Sequence, residues 1–545
     1  MRPLPFVIAA AFAAGAVVGQ DAAPEPLAGR IRAVRIDALD IFDPEMRARR
    51  PLADLVDSLH ATTKREVIAR ELWFAPGDRV DAETAAELER NLRALGLFAE
   101  VTVRLVPAPS PGEVDVEVVT RDRLSLQVGG GGSYVGGVSG FRASLGEGNL
   151  FGLGDRIVGS FSRNSDGDYR GAVAYTDLHV LDSWHTGTVR YASTDEGDSY
   201  GLEVRRPFKH LADPRAWATS LGHEESEMEY YRAGDSVAAV RDVSTSFGGE
   251  LLWADGPTHR RRTAGIEVAA VTHDLDPATG PLAPAIRVPG DTTSVFVGPT
   301  LRYQWIDGYR KVEGLDTLAY VQDLTLGSTI GATVGARWRI EEGGADAVEP
   351  EAAIAASFAT ELVENMFVNT AARGAIRWNG DDAAGWDASV SGRAFAMWAR
   401  GATLGAAAAF DAVEEHEDLP IELTLGEDNG LRGYTARAFA GTRRLRTNVE
   451  QRFDTGIEFA TLRLGLVVFW DTGRVGRGGE LGRPFDSAGV GLRIGSRQLL
   501  GDGIVRIDSS KPLDDTPDGD DGWQLSISVG QVFTFGGYTN TLSVR

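Results

Sequence analysis

The chain has 545 residues, a net charge of -23, 66 glycines and no cysteine. Without cysteine there is no disulfide framework, no cysteine metal site and no lipid-modified N-terminal cysteine. The acidic balance argues against a nucleic-acid partner, because binding the phosphate backbone relies on clustered Lys and Arg.

The N-terminus carries one basic residue, Arg2, then an apolar run over 6–18, then a polar stretch with two prolines over 20–26. This is a secretory signal pattern over residues 1–22, with cleavage expected near Gly19 or Ala22. The alternative is a short membrane anchor, but a spanning helix needs about 20 apolar residues. No later apolar run reaches even half that length. The exported chain is therefore either soluble outside the inner membrane or crosses a membrane with strands.

Residues 28–122 read as a mixed α/β module. Ile31, Val34 and Ile36 are the apolar points of a short strand over 30–38. Val67, Ile68 and Leu72 give helical spacing over 63–74, with Thr62 or Thr63 as the cap. Gly77 and Asp78 make a turn, and Asp81 caps a second helix over 82–95. There Ala85, Leu88, Leu92 and Leu95 recur at three and four, and Gly96 is the stop. Two alternating strands, 101–106 and 114–119, close the module in the order β-α-α-β-β.

From about Leu124 the period changes to two. Leu462, Leu464, Leu466, Val468 and Trp470 alternate with Arg463, Gly465 and Asp471. Ala332, Val334, Ala336, Trp338 and Ile340 alternate with Arg337 and Arg339. Leu525, Ile527 and Val529 do the same near the C-terminus, and Phe533 and Phe535 continue their apolar face. A soluble sandwich also alternates, but arginine repeatedly on the polar face of long strands suits a wet lumen with lipid outside. The expected fold is mainly β: a transmembrane antiparallel barrel over 123–545, preceded by the small α/β module. At about 26 residues per strand and loop, that stretch holds about sixteen strands. An even count lets the ends meet and leaves no free edge.

Two groups of motifs carry a resemblance. Leu59-His60-Ala61-Thr62-Thr63, Ile68-Ala69-Arg70-Glu71-Leu72-Trp73-Phe74-Ala75-Pro76-Gly77-Asp78 and Asn91-Leu92-Arg93-Ala94-Leu95-Gly96-Leu97-Phe98 resemble a POTRA domain. Gly146-Glu147-Gly148-Asn149-Leu150-Phe151-Gly152-Leu153-Gly154 resembles the first strands of the BamA/TamA family of outer-membrane assembly and translocation proteins. Gly430-Leu431-Arg432-Gly433-Tyr434 corresponds to that family's [V/L]-R-G-[F/Y] motif, on a loop that folds back into the lumen. Phe469-Trp470-Asp471-Thr472-Gly473 matches the F-x-D-x-G strand facing the loop, and Gly489-Val490-Gly491-Leu492-Arg493 resembles the strand after it. The chain departs from the family in having one POTRA where the best-known assembly factors carry several. It also ends at Val544 and Arg545 without a terminal aromatic.

The resemblance implies that the loop at Arg432 is latched against Asp471. Alternation independently turns Asp471 into the lumen, opposite Leu466, Val468 and Trp470. The pair then forms a charge-assisted, bidentate contact, with Gly433 allowing a tight bend. Otherwise both are solvated lumen charges. A lateral gate toward lipid falls where Leu124, Gly129, Gly130, Gly131 and Gly132 in the first strand meet Phe533 and Phe535 at the closing end. Equally, the glycines fit a tight barrel bend.

The implied function is an insertase-like assembly or translocation factor in the cell outer membrane, with the POTRA in the periplasm and no enzymatic activity. Its partners are unfolded outer-membrane or exported clients, met along the POTRA strand edge. The lipid bilayer is a further partner, and there is room for accessory periplasmic or lipoprotein subunits. The alternatives are a two-partner-type pore exporting one dedicated protein, or a passive porin or structural barrel.

No cofactor or metal is expected. Gly197-Asp198-Ser199-Tyr200-Gly201 matches a nucleophile pattern but lacks its strand-turn-helix setting. The acidic loop over 514–521 could bind Ca²⁺, though its spacing is not an EF-hand's.

Overall fold

The computed structural model describes residues 27–42, 60–135, 138–164, 169–257, 259–318, 320–343, 346–380, 382–415, 421–459, 461–496, 503–519 and 521–534. The signal pattern, Leu59, Asp520 and Phe535 lie outside the described residues.

The first unit contains β1 (Gly29–Leu39), α1 (Arg65–Arg70), β2 (Arg79–Val80), α2 (Ala82–Ala94), β3 (Phe98–Pro107) and β4 (Glu113–Asp122). The sheet order is β2-β1-β4-β3, with β1 parallel to β4 and β3 antiparallel to it. Parallel strands need a crossover, which the two helices supply. Val67, Ile68, Leu88 and Leu92 pack with Ile31, Phe98, Val116 and Val118 in one buried cluster. Asp81 caps α2, accepting from the Thr84 backbone N–H at 2.8 Å. The start of α1 differs from the expectation. It follows Lys64 with no side-chain cap, because Thr63 is committed elsewhere: its N–H and hydroxyl donate to Asp122 at 2.6 and 2.9 Å.

The second unit is a closed antiparallel barrel of twenty strands among the described residues. Its strands are β5 (Leu126–Val135), β6 (Val138–Leu150), β7 (Asp155–Asn164), β8 (Tyr169–Asp177), β9 (Thr186–Thr194), β10 (Asp198–Arg206), β11 (Arg215–Arg232), β12 (Asp235–Asp255), β13 (Arg260–Leu275) and β14 (Thr292–Glu313). They continue as β15 (Val321–Glu341), β16 (Ala347–Val363), β17 (Met366–Asn379), β18 (Asp382–Ala399) and β19 (Ala402–Glu415). The inserted pair β20 (Leu423–Leu425) and β21 (Phe439–Gly441) forms its own small sheet. The wall resumes with β22 (Arg443–Phe459), β23 (Leu462–Gly476), β24 (Phe485–Gly495), β25 (Ile504–Pro512) and β26 (Gln524–Val529).

The count of about sixteen is therefore corrected to twenty. The excess comes from connections far shorter than the assumed spacing. Ala233 and Gly234, with φ of 55° and 92°, make the two-residue β11–β12 turn. Only Glu364 and Asn365 separate β16 from β17, and only Arg400 and Gly401 separate β18 from β19. Paired positive φ values follow the right-handed strand twist and allow the tightest hairpins.

On β23, Leu466, Val468 and Trp470 are 50%, 54% and 40% exposed, while Val467, Phe469 and Asp471 are 1%, 3% and 0% exposed. The outward face is apolar and the inward face carries the charge. Water would penalise such a belt, whereas lipid is the solvent it matches. No helix among the described residues is long and apolar enough to cross a membrane.

The barrel closes where β26 meets β5, and this seam is short. Leu525 pairs with Tyr134 and Ser526 with Ser133, whereas β5 and β6 pair at ten positions. The C-terminal end departs from the expected strand. β26 stops at Val529, Gly530 turns with φ 90°, and Phe533 is fully buried inside the barrel. Phe533 therefore does not extend the outer apolar face. Its carbonyl accepts from Arg452 Nη2 at 2.8 Å, and its ring packs 5.7 Å from Phe395.

The α/β unit is docked on the adjacent end of the barrel. Glu71 accepts from His179 Nε2 at 2.7 Å and from Lys209 Nζ at 3.1 Å, both in turns between barrel strands. Burial pushes the Glu71 carboxyl up, but the His179 hydrogen bond and the Lys209 charge outweigh it and hold it below its ordinary value.

Candidate functional site

The site is built by four neighbouring strands and one inserted loop. Between β19 and β22 the chain folds into the lumen, where β20 and β21 form its neck. Asn429 organises the turn at the tip, donating to the Thr424 carbonyl at 2.9 Å and accepting from Gly426 N–H at 2.9 Å. Gly430 and Gly433 stand at φ 111° and 87°, a region other residues enter only with strain. Arg432 is thereby aimed at the wall.

Arg432 reaches three carboxylates. Its Nε and Nη2 donate to the two oxygens of Asp471 at 2.7 and 2.9 Å, a bidentate contact. Its Nη1 lies 2.8 Å from Glu450 Oε1 and 3.3 Å from Asp508 Oδ2. The guanidinium also sits 3.4 Å over the Phe469 ring, adding cation–π attraction. All four charged side chains are at most 1% exposed. Burying an ion costs several kcal/mol, so the cluster is sustained by charge pairing and the bidentate Arg432–Asp471 contact.

Glycine makes the wall fit. A Cβ on Gly489 would overlap the Phe469 ring and the Ser509 carbonyl, and one on Gly491 would overlap the Asp508 carboxylate. A Cβ on Gly473 would strike Leu425, and one on Gly433 would press to 3.2 Å from the Lys511–Pro512 backbone. Leu431 packs with Leu425, Tyr434 and Ala438, while the Tyr434 hydroxyl donates to the Asp486 carbonyl at 2.8 Å. The structure thus brings Gly430, Leu431, Arg432, Gly433, Tyr434, Phe469, Asp471, Gly473, Gly489 and Gly491 into one contact region.

Sequence reasoning missed much of the remaining cluster. Asn448 Nδ2 donates to the Gly430 carbonyl and to Asp471 Oδ1, both at 2.7 Å. Arg446 donates to the Asn429 carbonyl at 2.8 Å, and Arg493 Nη1 pairs with Asp508 at 2.5 Å. The signal was available. Arg444, Arg446, Asn448, Glu450 and Arg452 recur at period two on β22, and all five are buried. Five successive inward polar residues on one strand announce an occupied lumen, since charge is buried only against partners.

The residues assigned to the gate divide. Gly129, Gly130, Gly131 and Gly132 lie in β5, paired with Ser144, Ala143, Arg142 and Phe141 of β6, and β5 is one side of the seam. Leu124 precedes β5 and packs against Ile41 and Phe42. Phe533 lies inside the lumen, away from the seam's outer face. Ser199 of the nucleophile-like pattern is an ordinary ladder residue of β10, opposite Ala192 and Glu224. In the acidic loop, Asp521 accepts from the Thr516 N–H and hydroxyl at 2.9 and 3.0 Å. No group of three or more potential metal ligands occurs among the described residues.

No family model and no curated protein matches the chain. Among solved structures, it is similar to BamA from Haemophilus ducreyi lacking POTRA domains 1–3, at 10% identity and TM-score 0.41, covering 93% of this chain and 85% of that one. It is also similar to CdiB from Acinetobacter baumannii, at 11% identity and TM-score 0.41, covering 92% and 73%. The match to CdiB from Escherichia coli has 11% identity and TM-score 0.42, covering 92% and 76%.

Proposed function

We propose that this chain is a BamA/TamA-family protein of the outer membrane, acting as an insertase-like or translocating barrel. The observation that carries the reading is the lumen loop fixed by Arg432 to Asp471, in a wall that leads within three strands to a two-pair seam. A passive pore gains nothing from so costly a buried clasp. A barrel that parts at one seam needs the wall beside it held.

The α/β unit supplies the second half of the proposal as a periplasmic POTRA. Its β3 is an edge strand, and an edge strand accepts an extended client segment by backbone pairing. Unfolded outer-membrane or exported proteins are then the partners, with accessory periplasmic or lipoprotein subunits joining them. The activity is binding and release and needs no enzyme chemistry.

Depletion of the protein followed by outer-membrane proteomics tests this reading. Broad loss of barrel proteins supports general assembly. Loss of a single exported protein replaces it with the dedicated secretion pore. An unchanged outer membrane overturns both.

A further inference from the structure

The lumen loop enters from the end of the barrel away from the α/β unit. At the other end, the connection between β14 and β15 also turns inward. Gly314 bends it with φ 82°, and Leu315, Asp316 and Thr317 are buried. It crosses to strands four and five places beyond β15 around the wall. The Leu315 carbonyl accepts from Arg452 Nη1 at 3.1 Å on β22, and the Gly314 carbonyl accepts from Thr403 Oγ1 at 3.4 Å on β19. Leu318 fills the space left by two glycines on the facing wall. A Cβ on Gly465 would come within 2.8 Å of its side chain, and one on Gly495 within 3.2 Å of its Cβ.

The turn meets the C-terminal residues there. Gln531 Nε2 donates to the Asp316 carbonyl at 3.3 Å, and Leu315, Phe533, Phe395, Phe367 and Ala407 form one buried apolar cluster. A barrel lumen is ordinarily polar and wet, so a buried apolar knot at its mouth is out of keeping with an open channel. Hydrophobic constrictions exclude water and ions.

The docked helix grips both strands at the root of this turn. Glu89 of α2 pairs with Lys311 at the end of β14. Arg93, one helical turn later, donates to both oxygens of Asp323 on β15 at 2.5 and 2.9 Å. Arg90, on the same helix, lies 3.5 Å over the Tyr309 ring.

We propose that the turn over 314–318 is a plug closing the barrel mouth on the α/β side, and that α2 clamps it there through β14 and β15. Movement of the α/β unit then unseats the plug. This inference rests on the geometry of the mouth and does not depend on which proteins the barrel handles.

The absence of cysteine makes a disulfide test clean. In the full-length protein, Leu318→Cys with Gly495→Cys should form a disulfide readily on mild oxidation, since bridged Cβ atoms stand roughly 3.5–4.5 Å apart. Adding Glu89→Ala and Arg93→Ala should slow that cross-link at least tenfold. In planar bilayers in potassium chloride, Leu315→Gly with Leu318→Gly should raise conductance at least tenfold over the parent. The clamp variant should also raise it, and oxidation of its disulfide-bearing form should reverse the rise. Heat-modifiable migration reports that each variant is folded. Failure of the disulfide in folded protein, or parental conductance in the folded plug variant, overturns the plug. Parental cross-linking and conductance in the clamp variant overturn the clamp. Should the plug variant fail to fold, the disulfide result alone decides the plug.

Discussion

Asp471 accepts Nε and Nη2 of Arg432 at 2.7 and 2.9 Å, a two-point contact that a lysine in the same place could not reproduce. Glu450 and Asp508 also face the guanidinium, which decides how the pair must be tested. Exchanging the two charges would set an aspartate at 432 against two remaining carboxylates, so the double reversal should rescue nothing. Neutral substitutions are the proper probe. Arg432→Gln and Asp471→Asn should each destabilise the barrel by about 3–5 kcal/mol, because each leaves buried charge unmatched. Their combination should cost less than the sum, with the coupling read from urea unfolding of the four proteins. Strict additivity would show that the two groups do not interact.

Gly489→Ala should disturb the loop without touching it. The added methyl displaces the Phe469 ring on which Arg432 rests. Overpacking of this kind costs about 1–3 kcal/mol. Limited proteolysis should find the 430–434 region cut faster than in the parent, while Gly171→Ala, whose Cβ meets nothing within 4 Å, should leave the pattern unchanged.

The α/β unit should loosen from the barrel in acid. The Glu71 carboxyl titrates below its ordinary value of 4.5 because of His179 and Lys209. A lowered folded value gives stability that is complete above 4.5 and disappears as pH falls through the folded value. Hydrogen exchange in the turn over 178–185 should therefore rise as pH drops below 4.5, after correction for intrinsic rates. Glu71→Gln should show weaker protection at pH 7 and little change across that window. A parental acid response in Glu71→Gln would assign the effect to other groups.

How much could be read from residues alone follows from where the determinants lie. The inward face of Asp471 is legible because a period of two fixes a face without knowledge of the partner strand. The same rule reaches Arg444, Arg446, Asn448, Glu450 and Arg452, whose alternation puts all five on the inward face of β22, but it does not say which loop fills the lumen against them. The strand count was not legible, since a two-residue turn such as Ala233-Gly234 leaves almost no break in the alternation. Nor was the inward path of Gly530 and Phe533, because their position depends on Arg452 and Phe395, over 130 residues away for the latter. The same holds for Leu318 against Gly465 and Gly495: each wall glycine looks like an ordinary strand residue until the crossing turn is present.

The seam gives the most direct test of the central claim, that client chains pass the short junction of β26 and β5. Ser526 and Ser133 are paired there, and opposed residues in an antiparallel ladder stand about 4.5–5.5 Å apart at Cα, within reach of a disulfide. Ser133→Cys with Ser526→Cys, reconstituted in liposomes, can be assayed for assembly of a urea-unfolded outer-membrane barrel protein. The account predicts that the oxidised protein loses at least nine-tenths of the assembly rate, that reduction restores it, and that each single variant is unaffected. Undiminished assembly by fully cross-linked protein would contradict it.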